Sequence, residues 1–167
     1  GILYQNSVAA LYLGRLLDIR ERPNNETVSR VRVEAPGPVD DIVVTYADGH
    51  KAYIQVKENL NKSGEAWEKV WSDFKKQFDS DKFQKGRDRL CLYIGDHPNY
   101  VGLLEEICSR ASSSENSVEW RDRLSKEQEE LLQKIGAIKG VSPIEPSTLL
   151  DFFRHIVVET WTQRFIK

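Results

Sequence analysis

The feature that most constrains the fold is an Asp48-Gly49 pair between two segments with strand character. Residues 42–44 before the pair are β-branched, and residues 52–57 after it alternate apolar with polar side chains. Asp-Gly between two such runs is typical of a tight β-hairpin. Side chains two apart in a strand share a face, so Gln55 and Lys57 are predicted to point the same way, away from their apolar neighbours.

The same hairpin brings a carboxylate to these two side chains. Asp41 directly precedes the first strand, and antiparallel pairing places it beside Gln55 and Lys57. A hard cation such as Mg²⁺ prefers oxygen ligands and retains waters, so Asp41, the Gln55 amide oxygen and a substrate phosphate form a chemically reasonable ligand set. The Lys57 ammonium would orient or activate the attacking water and stabilise charge that develops at phosphorus. The pattern therefore predicts a metal site that cleaves phosphodiesters.

Three further side chains are candidates for this site. Asp41 is favoured over Asp40 as the ligand because Asp41 adjoins the apolar run, whereas Asp40 can cap the turn made by residues 36–38; the sequence alone does not separate the two. Glu34 ends the preceding strand, where it either completes the metal ligands or is a solvated glutamate. Gln5 opens the first helix and either reaches the site or is simply exposed.

The order of predicted elements extends this motif. A helix, a strand ending at Glu34, the hairpin, a second helix and a strand at Leu90–Ile94 give the order α-β-β-β-α-β. With Asp41 and the Gln55-Val56-Lys57 triplet, this order resembles the PD-(D/E)xK nuclease superfamily over about residues 1–110. The Gln-x-Lys form, after the upstream Tyr4-Gln5, looks most like the double-stranded DNA endonuclease domains of bacterial anti-phage effectors. Two groups fit: CD-NTase-associated endonucleases and the N-terminal nucleases of STAND NTPases.

The resemblance implies an α/β fold with a restriction-endonuclease-like mixed sheet flanked by helices, followed by a helical C-terminal extension. Residues 1–110 would form the nuclease core, and residues 111–167 a helical part of the same domain that could carry a self-association surface. It implies a Mg²⁺-dependent DNA endonuclease in which Mn²⁺ can substitute, with Asp41, Gln55 and Lys57 catalytic and with Asp41, Gln55 and Glu34 as metal ligands. Its partners would be double-stranded DNA, further copies of the chain on activation, and a fused C-terminal sensor or NTPase region.

The distribution of charge limits which kind of DNA binding is expected. The net charge of −2 argues against indiscriminate binding by one copy, because Lys and Arg contacts to phosphate supply most non-specific affinity. Basic residues gather locally at 57–62, at Lys75-Lys76 and at 82–89, where they either follow a DNA backbone or form an ordinary solvated surface. Bringing several copies together would raise the apparent affinity of weak DNA binding, so oligomerisation is an expected means of activation.

The helix after the hairpin is predicted to pack on the sheet. One face carries the aromatic and aliphatic side chains Trp67, Val70, Trp71, Phe74 and Phe78. Glu68, Lys69, Asp73 and Lys76 are assigned to the opposite, solvent-facing side. Further helices are expected over 100–110, 118–138 and 147–165, and His97 is expected to be a loop residue without a catalytic role.

Other sequence patterns limit which classes of protein this chain can belong to. Cys91 and Cys108 lie in apolar segments and are predicted to be small core residues in a reducing compartment, with no zinc site. The chain has no apolar segment long enough to span a bilayer and no signal-peptide pattern, which favours a cytoplasmic protein. Gly1 in place of methionine suggests a domain excised from a larger parent.

Two other classes of function compete with the nuclease. A catalytically inactive nuclease fold that binds DNA or oligomerises is favoured by the acidic balance and by glutamine at position 55, although an intact Lys57 counts against it. A generic α/β adaptor would require a coincidental motif, with Asp41 and Lys57 on different faces.

Overall fold

The computed structural model describes residues 2–18, 20–35, 37–39, 41–95 and 98–160, with the side chains of residues 2–4 also outside the description. Its helices are α1 (Ile2–Leu16), α2 (Glu65–Asp79), α3 (Tyr100–Ser113), α4 (Ser117–Asp122), α5 (Lys126–Gly136) and α6 (Pro146–Arg154). Its strands are β1 (Val28–Val33), β2 (Ile42–Tyr46), β3 (Lys51–Lys57), β4 (Arg89–Ile94) and β5 (Ile156–Thr160). None of the described helices combines the length and apolarity needed to cross a membrane.

The five strands form one mixed sheet in the order β1-β2-β3-β4-β5. Neighbours β1, β2 and β3 pair antiparallel, whereas β3, β4 and β5 pair parallel. The parallel pairs are joined by connections that contain helices, as parallel strands require. The predicted α/β class, with a mixed sheet flanked by helices, is confirmed.

Two apolar clusters cover the two faces of the sheet. On one face, Val8, Ala9 and Tyr12 of α1 pack on side chains that include Ile42, Ile54 and Val56. The other face carries the larger cluster, to which α2, α3, α5 and α6 contribute. Its largest fully buried side chains include Trp71, Trp120, Phe74, Phe78, Phe152 and Phe153. The aromatic stripe predicted on α2 is therefore core, as expected, and both cysteines are buried.

The Asp48-Gly49 hairpin is confirmed. Gly49 has φ +90°, a left-handed conformation that glycine adopts without steric cost, and Tyr46 N donates to His50 O at 2.9 Å to close the turn. Ile42 pairs with Ile54 across the hairpin. Ile54 and Val56 lie in the α1-side cluster while Tyr53 lies in the α2-side cluster, so the alternation predicted for β3 is also confirmed.

The helix predicted over 147–165 is wrong in its second half. The helix α6 ends at Arg154, and β5 pairs parallel with β4, with Leu90 opposite Ile156 and Leu92 opposite Val158. The apolar residues in this segment suit either a helical stripe or a strand, and pairing with the open edge of β4 decides for the strand. Residues 161–167, which include the last part of that predicted helix, lie outside the described residues.

The helix predicted over 118–138 is also interrupted, because α4 and α5 are separate. Ser125 ends the break and caps α5: its hydroxyl accepts from Gln128 N at 3.2 Å, and its own backbone N donates to Gln128 Oε1 at 3.0 Å. This reciprocal capping box satisfies two backbone N–H donors at the start of α5 and favours a new helix over continuation.

Candidate functional site

The start of β2 holds Asp41 against β3. Val56 N donates to Asp41 Oδ2 at 2.8 Å. The pairing of Ile42 with Ile54, continued by one residue, sets Asp41 opposite Gln55. Gln55 contacts α2, and Lys57, two residues later in β3, shares its face. The structure therefore places the Asp41 carboxylate at the backbone of Val56, the residue between Gln55 and Lys57.

Glu34 and Gln5 also meet Asp41, but through its backbone. Glu34 N donates to Asp41 O at 2.9 Å, and Gln5 Nε2 donates to the same oxygen at 3.3 Å. The Gln5 contact ties α1 to the beginning of β2, which is a structural role. Glu34 is exposed and has φ +53°, a left-handed conformation that costs a residue with a side chain about 1–2 kcal/mol. This backbone turn ends β1 beside the site.

Gln55 is buried, with an exposed fraction of 5 %, and its Nε2 donates to Asp73 Oδ2 at 3.5 Å. A carboxylate can only accept hydrogen bonds, so this contact assigns the amide nitrogen to α2. Within the described residues no donor reaches Gln55 Oε1, which leaves that oxygen as the amide's available ligand atom.

The prediction that Asp73 lies on the solvent-facing side of α2 is wrong. Its exposed fraction is 6 %, and Lys69 Nζ donates to its Oδ2 at 2.5 Å. Asp73 lies three residues after Val70, and Gln77 four residues later is buried as well. Asp73 and Gln77 thus follow the three- and four-residue spacing of buried positions, at the edge of the aromatic face of α2. This spacing is the sequence pattern that predicts their burial.

Lys57 is the last residue of β3 and pairs with Ile94 at the end of β4. Gly95 N donates to Lys57 O at 2.8 Å, continuing the parallel pairing beyond Ile94. A Cβ on Gly95 would lie 2.9 Å from Glu58 O, so a glycine is needed for this approach. The carboxyl ends of β3 and β4 thus form one edge beside the candidate site.

The donor set suits a hard cation, although it is sparse. Among the residues that the structure describes, there is no group of three or more His, Cys, Asp or Glu side chains that could hold a metal ion. Asp41 and the Gln55 amide supply oxygen atoms, which are the ligands that Mg²⁺ prefers. Glu34 adjoins them because its backbone N donates to Asp41 O. Asp40 and His97 lie outside the described residues.

Several residues of the basic run at 82–89 make contacts within the fold. The Asp88 carboxylate is buried and accepts from Lys51 N and Gln84 N, each at 2.8 Å. Arg87 lies 4.0 Å from Asp48, and Lys85 Nζ lies 4.5 Å from the centre of the Phe78 ring. These contacts connect the β4 entry to the hairpin and to α2, whereas Lys82 at the start of the run forms no ion pair with a described residue.

Comparison of the chain with models of protein families, with curated proteins and with solved structures gave no match.

Proposed function

We propose that this chain is a metal-dependent endonuclease domain that hydrolyses phosphodiester bonds of double-stranded DNA, on a restriction-endonuclease-like fold. The observation that carries the proposal is the hydrogen bond from Val56 N to Asp41 Oδ2, because it holds the carboxylate at the residue that separates Gln55 from Lys57 in β3. An Asp-Gln-Lys set held by adjacent strands of a rigid sheet supplies a preorganised site.

The chain's own groups divide the work. Asp41 and the Gln55 amide oxygen would hold a Mg²⁺ ion, with Glu34 as a third candidate ligand. That ion would supply Lewis-acid polarisation of the phosphodiester. Asp73 holds the amide nitrogen of Gln55 and so presents the oxygen. The Lys57 ammonium would orient the attacking water and offset negative charge on the phosphate as the bond breaks.

A single carboxylate with an amide is a weak set for a divalent cation, so DNA phosphate oxygens would be needed to complete it. That dependence suits an enzyme that is inactive until several copies assemble on DNA. We therefore include in the proposal that the domain is the N-terminal effector of a larger cytoplasmic anti-phage protein, activated by oligomerisation through a fused sensor or NTPase region.

The test is cleavage of supercoiled plasmid in Mg²⁺, in Mn²⁺ and in EDTA, with the domain alone and fused to an oligomerising protein. Asp41→Asn keeps an oxygen that can accept from Val56 N while removing the charge. Lys57→Met keeps the aliphatic stem while removing the ammonium. We expect each to lower the cleavage rate by about 10²–10³-fold.

Two variants serve as controls. Lys134→Met removes an exposed lysine on α5 and should leave cleavage unchanged. Glu34→Asn removes the third candidate carboxylate but keeps a residue type that tolerates the left-handed backbone, so a loss of cleavage there assigns Glu34 to the ligands. Cleavage that persists in EDTA, or in both Asp41→Asn and Lys57→Met, would reject the proposed site.

A second candidate is an inactive nuclease fold that binds DNA or oligomerises. The sparse carboxylate set around Asp41, together with glutamine at position 55, favours it. An oligomerised parent that binds duplex DNA but does not cut it in either metal would select this function.

A further inference from the structure

A cationic pocket lies on the α2 side of the sheet, over its antiparallel half. It has a volume of about 290 Å³ and is bounded by β1, β2, β3 and the carboxyl end of α2. Four of its lining residues are Arg30, Arg32, Lys51 and Lys82, and no described Asp or Glu lines it. Arg30 and Arg32 share a face because they are two residues apart in β1.

The four cations have no carboxylate partner in the part of the chain that the structure describes. No described residue forms an ion pair with any of their side chains, whereas Lys69, Lys75 and Arg87 nearby each lie within 4.0 Å of a carboxylate. Four like charges around one small cavity repel one another and create a positive potential that an anion would relieve. The pocket therefore has the electrostatics of an anion site.

A buried amide in the same pocket also lacks a partner. Gln77 has an exposed fraction of 4 %, and none of the described residues hydrogen-bonds to its side chain. The Gln77 amide lines the cavity and can hydrogen-bond a polar ligand there. The hydroxyls of Thr45 and Ser80 line the same cavity and add further donors.

The pocket adjoins the candidate site along two strands. Val43 and Tyr53 line it, and these residues lie two positions from Asp41 and Gln55 on the same strands and the same face. Two strand residues advance about 7 Å, so the pocket begins about one such step from the proposed metal ligands. Arg30 and Arg32 are also two residues apart, so they are separated by about 7 Å along β1. Cations spread over this length suit successive phosphates of one strand better than a single small anion.

We propose that the cationic pocket binds the backbone phosphates of the DNA strand next to the bond that is cut, with Arg30 and Arg32 as the principal contacts. The inference rests on the proposed function, since the strand that enters the pocket is the one presented to Asp41 and Gln55. It gives the acidic domain a local basic surface for its substrate.

The experiment measures binding without cleavage. A fluorescein-labelled duplex of about 20 bp is titrated with the protein in EDTA, and anisotropy gives the affinity at several NaCl concentrations from about 50 to 200 mM. The parent is compared with Arg30→Gln/Arg32→Gln and with Lys51→Gln/Lys82→Gln. Lys126→Gln/Lys134→Gln is the matched control, because it removes the same charge from exposed positions of α5. Urea unfolding establishes that each variant is folded.

We expect Arg30→Gln/Arg32→Gln to lower the slope of log affinity against log salt by about 2 in magnitude, since each phosphate contact contributes about 0.9. Affinity at the lowest salt should fall about 10-fold or more, and the Lys51→Gln/Lys82→Gln variant should show a smaller loss in the same direction. The α5 control should keep the parent's slope. A folded arginine variant with an unchanged slope would overturn the inference, as would a parent that does not bind duplex at all.

A mononucleotide competitor distinguishes the other source of phosphate. If millimolar dAMP binds through Arg30 and Arg32 while the duplex does not, the pocket is a small-anion site and the inference is wrong. Failure of the nuclease chemistry has a different signature, namely a parent that binds duplex with the expected slope but cuts nothing in Mg²⁺ or Mn²⁺.

Discussion

At the scale of single residues, Gln55 and Asp73 form the most consequential pair. Both side chains are nearly fully buried, and the amide of one donates to the carboxylate of the other at 3.5 Å. A glutamine is compatible with this neighbour because it is neutral and can donate. A glutamate at position 55 would place two carboxylates in contact, so the neighbour on α2 gives a physical reason for a neutral amide at this position.

This reasoning predicts that Gln55→Glu lowers the free energy of unfolding by about 1–3 kcal/mol near neutral pH, because two buried like charges meet. The loss should shrink as pH falls, since protonation of one carboxyl removes the repulsion. Asp73→Asn in the same chain should restore most of the stability by reversing donor and acceptor. Urea unfolding of the four members of this cycle gives the interaction energy, and strictly additive effects would contradict the pairing.

At the scale of elements, short helices owe their placement to contacts between them. Arg121 on α4 donates to Glu129 on α5, with Nε at 2.9 Å from Oε1 and 2.8 Å from Oε2. The guanidinium thus holds both carboxylate oxygens, and it lowers the pKa of Glu129 below its ordinary value. The pair connects two helices, whereas the sequence pattern predicts a single helix over this segment.

We expect Glu129→Gln to reduce stability by about 0.2–1 kcal/mol at neutral pH, a small value because both side chains are partly exposed. The folded-state pKa of Glu129 is depressed, so its contribution is present above the unfolded value of about 4.3 and is lost as pH falls through the folded pKa. Thermal unfolding from about pH 7 to about pH 3 should show the parent and the variant converging in acid. A constant difference across that range would exclude the ion pair as its cause.

At the scale of the whole molecule, the helical half and the sheet share one core. Trp120, Phe152 and Phe153 lie after residue 110, yet they belong to the same buried cluster as Trp71 and Phe78 of α2. The Phe153 ring stacks on Trp71 with centroids 5.7 Å apart. The strand β5 also completes the sheet beside β4.

A chain of residues 1–110 is therefore expected not to fold by itself, because it would expose β4 and the aromatic side chains of α2 to water. Circular dichroism and urea titration should show no cooperative transition for this fragment, while residues 1–160 retain one. A cooperative transition in the shorter fragment would establish the proposed nuclease core as an independent folding unit.

The local pattern was enough to predict the elements whose signal is short-range. The Asp48-Gly49 turn, the alternation around Gln55 and Lys57, the approach of Asp41 and the aromatic face of α2 follow from turn chemistry and from strand or helix periodicity. These features depend on residues close in sequence or on a single hairpin register, so composition and spacing determine them.

Only the tertiary structure decided the rest. β5 is a strand because β4 offers it an open edge, Gln55 meets Asp73 because α2 packs over β3, and Arg30, Arg32 and Lys82 line one pocket because the segment after α2 lies over β1. Each of these outcomes depends on a partner distant in the chain, whose position exists only after the core has packed. Periodicity describes which face of an element is apolar, but it does not say which neighbour that face or its flank will meet.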